Sequence, residues 1–254
     1  MTISIITVAL NSAATVKRTI ESVLTQTYCD IEYVFVDGGS KDGTLEIALS
    51  EQKRFNGRMK VLRLDKSSIY EAANFGIRNS SGEIVGMLNA DDMFTSQQII
   101  DIVACNFAGN GNEVEMLYAD IHYFTHPRTD LATRYYSAKD FSPKLLRFGF
   151  APPHPSLYVR RSVFARYGYY HEDYKLAADF EFFVRTLWNT NLKAVYLPVD
   201  MVAMQSGGIS TKWRNRLYTN WVEKRRALRE NNVSSSYALL AARYLFSLKH
   251  FFKK

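Results

Sequence analysis

Two adjacent carboxylates, Asp91 and Asp92, follow an apolar stretch typical of a buried strand, in the run Leu88-Asn89-Ala90-Asp91-Asp92. Such a pair can bind a hard divalent cation, because Mg²⁺ and Mn²⁺ accept one or two carboxylates together with phosphate oxygens. The cation would then neutralise charge on a departing diphosphate. The dipeptide alone favours a simpler interpretation, a turn in which aspartate caps the next helix.

A glycine-rich loop with a leading aspartate lies upstream, where residues 36–44 read VDGGSKDGT. Asp37 can accept a hydrogen bond from a nucleobase N–H or a ribose hydroxyl, and the glycines behind it allow the backbone to approach a ligand closely. The loop lacks the GxxxxGK[ST] pattern of a P-loop. The alternative is an ordinary strand-to-helix connection in which Asp42 or Thr44 caps the helix.

A further pair of carboxylates, Asp179 and Glu181, stands at the start of an apolar, helix-like stretch. One of them can act as a general base that takes a proton from an attacking hydroxyl group. Asp179, at the beginning of the helix, is the better candidate, and Glu181 is the reserve. The alternative is that both carboxylates only interact favourably with the helix dipole.

His154 lies between prolines in residues 152–156, which read PPHPS and predict a rigid loop. Neither cysteine stands at a metal-ligand spacing from a histidine. A metal or acceptor role for His154 stays open, although a structural or exposed histidine is the more common case.

Strands and helices alternate in the first half of the chain, which indicates βαβ units and a mostly parallel sheet. Strands are predicted at Ile3–Val8, Ile31–Val36, Met59–Leu64 and Glu83–Leu88, and helices at Thr44–Leu49, Ile69–Asn79 and Thr95–Phe107. Another helix, capped by Asn11 or Ser12, is predicted to extend through about Thr27. Ligands bind at the carboxyl ends of the strands in such sheets. We therefore expect the acidic residues at the strand ends to meet at one edge: Asp37, Asp65, Asp91 and Asp92.

The pattern changes after Val114 to a mixed arrangement of strands and helices. Strands are predicted at Glu115–Phe124, Ala132–Tyr136, Ser156–Val159, Lys193–Leu197 and Met201–Met204, and helices at Phe141–Phe148, Arg161–Tyr167, Ala178–Trp188, Trp213–Glu230 and Tyr237–Phe252. We expect an α/β fold with a mostly parallel central sheet, flanking helices and C-terminal helices.

The composition is that of a folded globular protein with one sizeable core, since 47% of the 254 residues are hydrophobic and 22% are charged. Cys29 and Cys105 predict no disulfide framework, which fits a reducing compartment. The N-terminus predicts a strand and no signal peptide. No apolar run reaches the length of about 18 residues that predicts a spanning helix, so we expect a cytoplasmic protein.

The net charge of +7 is concentrated in the C-terminal segment. Residues 212–254 carry 11 Lys and Arg against Glu223 and Glu230, a net charge of +9, so the rest of the chain carries −2. A basic segment on a near-neutral body indicates an anionic surface as its partner.

Taken in order, these segments resemble the family 2 glycosyltransferases with a GT-A fold, and among them the bacterial polysaccharide subgroup with colanic-acid-type members. Residues 5–11 (IITVALN) are similar to the opening nucleotide-binding strand, and residues 37–44 to the DGxSxDGT loop. Residues 68–77 (SIYEAANFGI) resemble the GIYDAMNKGI segment, and the acidic run follows at the expected place. Residues 178–181 (ADFE) resemble the later base motif, and residues 207–210 (GGIS) a late glycine loop. The likeness covers residues 1–210, and several ordered motifs are more specific than any one.

The resemblance implies a role for each matching residue. Asp37 would contact the nucleoside, Asp92 would bind Mn²⁺ or Mg²⁺, and Asp179 would be the catalytic base. The nucleotide-sugar site as a whole would include Thr7, Asn11, Asp37, Asp65, Asn74 and Asp91, the last near the ribose or diphosphate. The family's usual Gly, Asp, Met and Lys are replaced at Ser68, Glu71, Ala73 and Phe75. These departures bear on sugar preference and loop geometry rather than on the reaction class.

The implied reaction transfers a hexose or N-acetylhexosamine, with inversion, from a UDP-sugar to a lipid-linked oligosaccharide in the synthesis of a bacterial cell-surface polysaccharide. Residues 1–211 would form the catalytic domain, with residues 1–113 binding the donor and residues 114–211 on the acceptor side. Residues 212–254 would be a basic amphipathic segment. It either lies on the inner face of the cytoplasmic membrane or packs on the domain or on a second subunit.

Two other classes of protein stay open. A Rossmann-type nucleotide-binding enzyme should carry GxGxxG after its first strand, but Ala9-Leu10-Asn11-Ser12 stands there. A non-enzymatic binder would use the basic segment alone, on a membrane or on nucleic acid. We expect a membrane surface, and no nucleic acid, as the partner of that segment.

Overall fold

The computed structural model describes residues 1–109, 113–126, 128–207 and 218–242. The strands of these ranges form one sheet: β1 (Ile3–Ala9), β2 (Ile31–Asp37), β3 (Met59–Arg63), β4 (Ile84–Met87), β5 (Met93–Phe94), β6 (Met116–Thr125), β7 (Arg128–Tyr136), β8 (Tyr158–Arg160) and β9 (Ala194–Gln205). The α-helices are α1 (Val16–Leu24), α2 (Thr44–Gln52), α3 (Ile69–Arg78), α4 (Ile99–Gly109), α5 (Arg161–Tyr167), α6 (Ala178–Leu187) and α7 (Lys224–Glu230).

The sheet has the strand order β3-β2-β1-β4-β8-β6-β9-β5, with β7 paired to β6. Strands β1 to β4 are parallel to one another, which confirms the βαβ units predicted for the first half of the chain. Strand β8 is antiparallel to both β4 and β6, and β6 is parallel to β9. The second half of the sheet is therefore mixed, as its sequence pattern predicts.

Alternate residues of the parallel strands face two separate hydrophobic cores, because side chains on a strand alternate between its two faces. Ile5 and Phe35 lie in one core with residues of α1, α2 and α4. Ile6 and Val36 lie in the other with residues of α3, α5, α6 and α7. The sheet is thus covered by helices on both faces, as nearly continuous apolar strands require.

Helix α3 lies very close to the sheet and starts from a reciprocal cap. A Cβ atom at Gly76 would lie 2.5 Å from Cγ2 of Ile6, so only glycine permits this approach. The Ser68 hydroxyl accepts a hydrogen bond from the Glu71 amide (3.2 Å), and the Glu71 carboxylate accepts one from the Ser68 amide (2.6 Å). Ser68 and Glu71, two departures from the family pattern, thus compensate each other as a capping box.

Two helices of the first half begin later than predicted. Helix α1 starts at Val16, and its N-cap is Thr15 rather than Asn11 or Ser12, because residues 13–15 form a turn in which the Thr15 amide donates to the Ser12 oxygen (2.9 Å). Helix α4 starts at Ile99 rather than at Thr95. Met93 and Phe94 form the short strand β5 against β9, residues 95–98 form a bend and a turn, and the Thr95 amide donates to the Met201 oxygen (3.2 Å).

The two strands predicted at Lys193–Leu197 and Met201–Met204 are one strand, β9. Its register to β6 steps from Ala119–Leu197 to Asp120–Asp200, so Pro198 and Val199 form a bulge and not a break. The helix predicted at Phe141–Phe148 is a 3₁₀ helix over Pro143–Phe148. The other predicted elements agree with the structure to within a few residues, apart from those in the C-terminal segment.

The described part of the C-terminal segment packs on the rest of the fold. It consists of a π-helical turn at Thr219–Glu223, helix α7 and the helical residues 237–242. Ala227, Leu228, Val233 and Leu240 are buried in the same core as α6. The remainder of the two predicted terminal helices, at 213–217 and 243–252, lies outside the described residues. Among the residues that the structure describes, no helix is both long and apolar enough to cross a membrane.

Candidate active site

Helix α1 and its N-cap bind the backbone of the acidic loop, residues 89–92. Three side chains on one face of the helix donate hydrogen bonds to three consecutive carbonyl oxygens: Thr15 to Ala90 (2.8 Å), Arg18 to Asp91 (2.8 Å) and Thr19 to Asp92 (2.7 Å). Residues spaced by three and four positions share a face of a helix, so α1 can reach all three carbonyls at once. The loop that carries the two carboxylates is therefore fixed before any ligand binds.

Arg18 is also the charge partner of the acidic pair, a role that sequence reasoning missed. Its guanidinium donates to Oε1 of Gln205 (2.7 Å) and lies 5.0 Å from the centre of the Phe124 ring. Burial lowers the pKa of Arg18, and the charges of Asp91 and Asp92 act in the opposite direction. The available signal was a basic residue between Thr15 and Thr19 on the half-buried face of an amphipathic helix.

The two carboxylates differ in exposure and in hydrogen bonding. Asp91 is half-buried, whereas Asp92 is 1% exposed. The Asp92 carboxylate accepts hydrogen bonds from Nδ2 of Asn89 (2.9 Å) and from the Gln205 amide (3.1 Å). Burial and the charge of Asp91 raise the pKa of Asp92 to about 8, and burial also raises the pKa of Asp91. Each residue therefore resists ionisation, and a cation between them would relieve their repulsion.

This donor set fits a divalent cation that takes its other ligands from a substrate. No group of three or more His, Cys, Asp or Glu among the described residues could hold a metal ion by itself. Two carboxylates are nevertheless sufficient when phosphate oxygens and water complete the coordination of Mg²⁺ or Mn²⁺. The residues present are thus compatible with the predicted metal, which stays a prediction.

Asp37, the last residue of β2, is fully buried and has one carboxylate oxygen without a partner among the described residues. Its Oδ2 accepts hydrogen bonds from the amides of Gly39 and Ser40, both at 3.0 Å. Its Oδ1 has none, which is costly for a buried acceptor. A donor group of a ligand that reached this oxygen would satisfy it.

Asp65 lies beside the same loop. Gly39 has a φ of +95°, and a Cβ atom there would lie 2.8 Å from Oδ1 of Asp65. Asp65 is exposed and forms an ion pair with Nε of Arg63 (2.8 Å). A cleft of about 300 Å³ opens beside it, and its lining residues are Leu64, Asp65, Lys66, Ser67, Glu71, Phe75, Arg78 and Glu172.

Thr7 and Asn11 connect the loops of the site through hydrogen bonds within the protein. The Thr7 hydroxyl, fully buried, donates to the Leu88 oxygen (2.8 Å) and accepts from the Tyr33 hydroxyl (3.0 Å). Oδ1 of Asn11 accepts from the Lys41 amide (2.9 Å). These contacts join β1 and its following loop to the acidic loop and to the Asp37 loop, so both residues act as supports in this conformation.

Asp179, in the first turn of α6, lies among aromatic side chains. Its Oδ1 accepts hydrogen bonds from the Phe180 amide (2.8 Å) and, at 3.4 Å, from the Tyr70 hydroxyl. Burial and the charge of Asp179 raise the pKa of Tyr70, so Tyr70 stays protonated and remains a donor. The Tyr170 hydroxyl lies 2.9 Å from Nε2 of His154. Burial lowers the pKa of His154, and the charge of Asp179 offsets part of that change.

Glu181 and Asn74 are each engaged in buried contacts of their own. Glu181 is 1% exposed and accepts hydrogen bonds from Nε and Nη2 of Arg185 (3.0 Å each) and from Asn231 (3.1 Å). Asn74 is 1% exposed and bonds to the backbone N–H and oxygen of Tyr170. These contacts argue for structural roles and leave Asp179 as the candidate base.

The structure brings the predicted residues to one edge of the sheet. Asp37 ends β2, Asp65 follows β3 and the acidic loop follows β4, so all lie at the carboxyl ends of the parallel strands, together with Tyr70 in the first turn of α3. Asp179 joins this edge through Tyr70. Of the glycine loop at 207–210, Gly207 is described, with φ +101°, and residues 208–210 lie outside the described ranges.

Comparisons with known proteins are consistent with this geometry. Residues 4–110 match the family model described as glycosyl transferase family 2. The PGL/p-HBAD biosynthesis glycosyltransferase of Mycobacterium bovis is 30% identical over 208 residues, which are 82% of this chain and 78% of the relative.

Two solved structures share the fold at low sequence identity. Staphylococcus aureus TarS 1-349 in complex with UDP-GlcNAc superposes with a TM-score of 0.72 at 18% identity, over 96% of this chain and 72% of that one. The mannosyltransferase PcManGT from Pyrobaculum calidifontis, in complex with GDP-Man and Mn²⁺, superposes with a TM-score of 0.61 at 14% identity, over 99% and 81% of the chains.

Proposed function

Because this chain belongs to glycosyl transferase family 2, we propose that it transfers a hexose or N-acetylhexosamine from a UDP-sugar to a hydroxyl group, with inversion at the anomeric carbon. The observation that carries this proposal is that α1 and the loop before it join Asp37 to the acidic pair. A nucleoside at Asp37 and a diphosphate at Asp91 and Asp92 would then lie along one continuous edge, as in a nucleotide sugar.

The unpartnered Oδ1 of Asp37 is suited to the nucleoside. A base N–H or a ribose hydroxyl that donates to this oxygen would satisfy a buried acceptor. Asp65, which lies against Gly39 of the same loop, would lie on the same side of the donor. The UDP-GlcNAc bound in TarS supports the choice of UDP.

Of the two adjacent carboxylates, Asp92 would hold Mn²⁺ or Mg²⁺. Each oxygen of Asp92 accepts one hydrogen bond from the protein, and a carboxylate oxygen has a second lone pair for a metal. Asp91, the more accessible of the two, would face the ribose or the diphosphate. The bound metal would neutralise negative charge on the departing nucleoside diphosphate.

Asp179 would act as the base. It takes the proton of the acceptor hydroxyl as that oxygen bonds to the anomeric carbon and the bond from that carbon to the diphosphate breaks. The Tyr70 hydroxyl would orient the carboxylate by its hydrogen bond to Oδ1. His154, held by Tyr170 and close to Asp179, would line the acceptor side.

We propose a lipid-linked oligosaccharide, in cell-surface polysaccharide synthesis, as the acceptor, and the cytoplasmic membrane surface as the place of action. An exposed aromatic and basic face on the C-terminal segment supports this. Tyr218, Val222 and Tyr237 are exposed there, with Lys175 over the ring of Tyr218 and Arg225 over that of Tyr237. Amphipathic aromatic and basic side chains are suited to a headgroup interface.

A donor screen with three variants tests the reaction. Among nucleotide sugars, UDP-sugars should protect the protein in thermal melts, and more strongly with Mn²⁺. Asp92→Ala and Asp179→Asn should each abolish transfer, the first with loss of metal-dependent UDP binding and the second with that binding retained. Glu83→Gln, at the opposite end of β4, is the control and should behave as wild type.

Three results would contradict the proposal. Turnover at the wild-type rate in Asp179→Asn would refute the assignment of Asp179 as the base. Metal-dependent UDP binding retained in Asp92→Ala would refute the assignment of Asp92 as the metal ligand. A product with the anomeric configuration of the donor, measured by NMR, would refute the proposal that transfer inverts the anomeric carbon.

A further inference from the structure

Glu223 of the C-terminal segment contacts the residues that lead into α6, the helix that carries the candidate base Asp179. It is the last residue of the π-helical turn and is 2% exposed. Its Oε1 accepts a hydrogen bond from the Lys175 amide (2.5 Å), and its Oε2 accepts one from the Leu176 amide (2.8 Å). These two residues directly precede Ala177, the N-cap of α6, and Asp179 is the second residue of that helix.

Helix α6 has no local side-chain cap to fix where it starts. Its N-cap is Ala177, which has no side chain able to accept a hydrogen bond from the first turn. The segment leading into α6 is instead fixed by a carboxylate 47 and 48 positions further along the chain. A buried carboxylate is costly unless it is hydrogen-bonded, so the two amides and Glu223 stabilise each other.

The backbone at Glu223 is also unusual. A π-helical turn is rare, and such turns occur frequently at functional sites. Other contacts of the segment flank the same region: the Tyr174 hydroxyl donates to Glu230 (2.6 Å), and Nζ of Lys224 lies 4.8 Å from the ring centre of Phe180. The charges of Asp179 and Glu223 both contribute to the raised pKa of Tyr70, after burial, which places all three groups in one cluster.

We propose that Glu223 is a positioning residue for sugar transfer, which sets the direction of the Asp179 carboxylate by holding the backbone of residues 175–176. This inference rests on the proposed role of Asp179 as the base. It makes the basic C-terminal segment part of the catalytic unit, although the sequence alone suggests an appendage outside it.

Glu223→Gln is the direct test, because it preserves the shape of the side chain but replaces one acceptor oxygen by an NH₂ group that opposes an amide donor. We expect kcat to fall about 10- to 100-fold, since a small misplacement of a catalytic group has effects of this order. The dissociation constant for UDP with Mn²⁺ should be unchanged. Glu230→Gln is the matched control, because Glu230 lies in the same segment and does not contact residues 175–176.

A double-mutant cycle separates positioning from general stability. In an Asp179→Asn background, assayed at enzyme concentrations high enough to detect the trace transfer that escapes an ordinary assay, Glu223→Gln should have no further effect, because it acts only through Asp179. Glu223→Asp retains the charge on a shorter side chain and should give an intermediate kcat, which keeps the test decisive if Glu223→Gln does not fold.

Two outcomes would overturn the inference: a wild-type kcat in Glu223→Gln, or equal effects of Glu223→Gln with and without Asp179. Wild-type turnover in Asp179→Asn would instead refute the proposed base itself. The two failures are therefore distinguishable.

Discussion

The guanidinium of Arg18 donates a hydrogen bond to the backbone oxygen of Asp91 across 2.8 Å. The contact links the first turn of α1 to the first residue of the acidic pair, 73 positions away in the chain. The same guanidinium donates to the side-chain oxygen of Gln205, and the backbone N–H of Gln205 donates to the carboxylate of Asp92. Arg18 thus connects α1, the acidic loop and the end of β9, and its charge lies next to the half-buried Asp91 and the buried Asp92.

Arg18→Met should weaken metal-dependent donor binding. Hydrogen bonds to charged groups contribute about 1.5–3 kcal/mol, and the change leaves the Asp91 oxygen and Gln205 without their partner. We expect the dissociation constant for UDP with Mn²⁺ to rise about 10- to 100-fold, as measured by titration calorimetry. Lys17→Met, at a neighbouring side chain that is 72% exposed, is the control. Equal affinities in the two variants would show that Arg18 does not organise the loop.

Gly76→Ala should destabilise the fold by about 1–3 kcal/mol, the usual effect of overpacking a core. The new methyl group would lie 2.5 Å from Ile6 and 3.1 Å from Val36, so α3 would have to move away from the sheet. Gly109→Ala, where a Cβ atom would meet nothing within 4 Å, is the matched control. The measurement is urea unfolding of both variants, and similar midpoints would contradict the close packing of α3.

Acid should remove a stabilising contribution of Glu32. Burial by itself would raise the pKa of Glu32, but hydrogen bonds from Lys60, Ser4 and Ser81 outweigh it and lower the pKa from 4.5 to about 2. The folded-state pKa is thus below the unfolded value. The contribution is therefore fully present above pH 4.5 and is lost as the pH falls from 4.5 towards 2.

The check is urea unfolding of wild type and Glu32→Gln across this pH range. The stability difference between them should shrink steadily as the pH falls from 4.5 towards 2. A difference that stays constant would mean that the carboxylate is not stabilised by its partners.

Removal of residues 243–254 should weaken binding to anionic vesicles. These residues include Arg243, Lys249, Lys253 and Lys254, and each basic residue near such a surface contributes about 1 kcal/mol. We expect flotation with phosphatidylglycerol vesicles to fall at least about tenfold and flotation with phosphatidylcholine vesicles to be low throughout. Truncation before Leu240 would be a poorer test, because Leu240 is buried in the core. Undiminished flotation of the shortened protein would refute the proposal that residues 243–254 bind the membrane surface.

Much of the parallel half of the sheet was predictable from sequence. Runs such as Ile31–Asp37 are apolar apart from Glu32 and the final Asp37 and end at a glycine-containing loop, and these are local properties. The positions of Asp37, Asp91 and Asp92 at strand ends follow from the same pattern. The starts of α1 and α4 were not predictable. The segment before α1 is held by hydrogen bonds from the Ser12 and Ala13 backbone amides to Thr44 and Asp42, and the short strand β5 before α4 pairs with β9.

The sequence by itself determined the alternation of strands and helices, because hydrophobic periodicity is a local property of the chain. It also determined the family and the set of candidate carboxylates, because the motifs follow one another in a fixed order along the chain. Only the tertiary structure decided which of these carboxylates are occupied by protein partners and which have an oxygen left for a ligand. It pairs Glu181 with Arg185 and Asn231, leaves Oδ1 of Asp37 without a partner among the described residues, and brings Arg18 to Asp91 and Glu223 to the start of α6. Burial and most of these hydrogen bonds depend on residues distant in the chain, and no local pattern encodes which distant groups will meet.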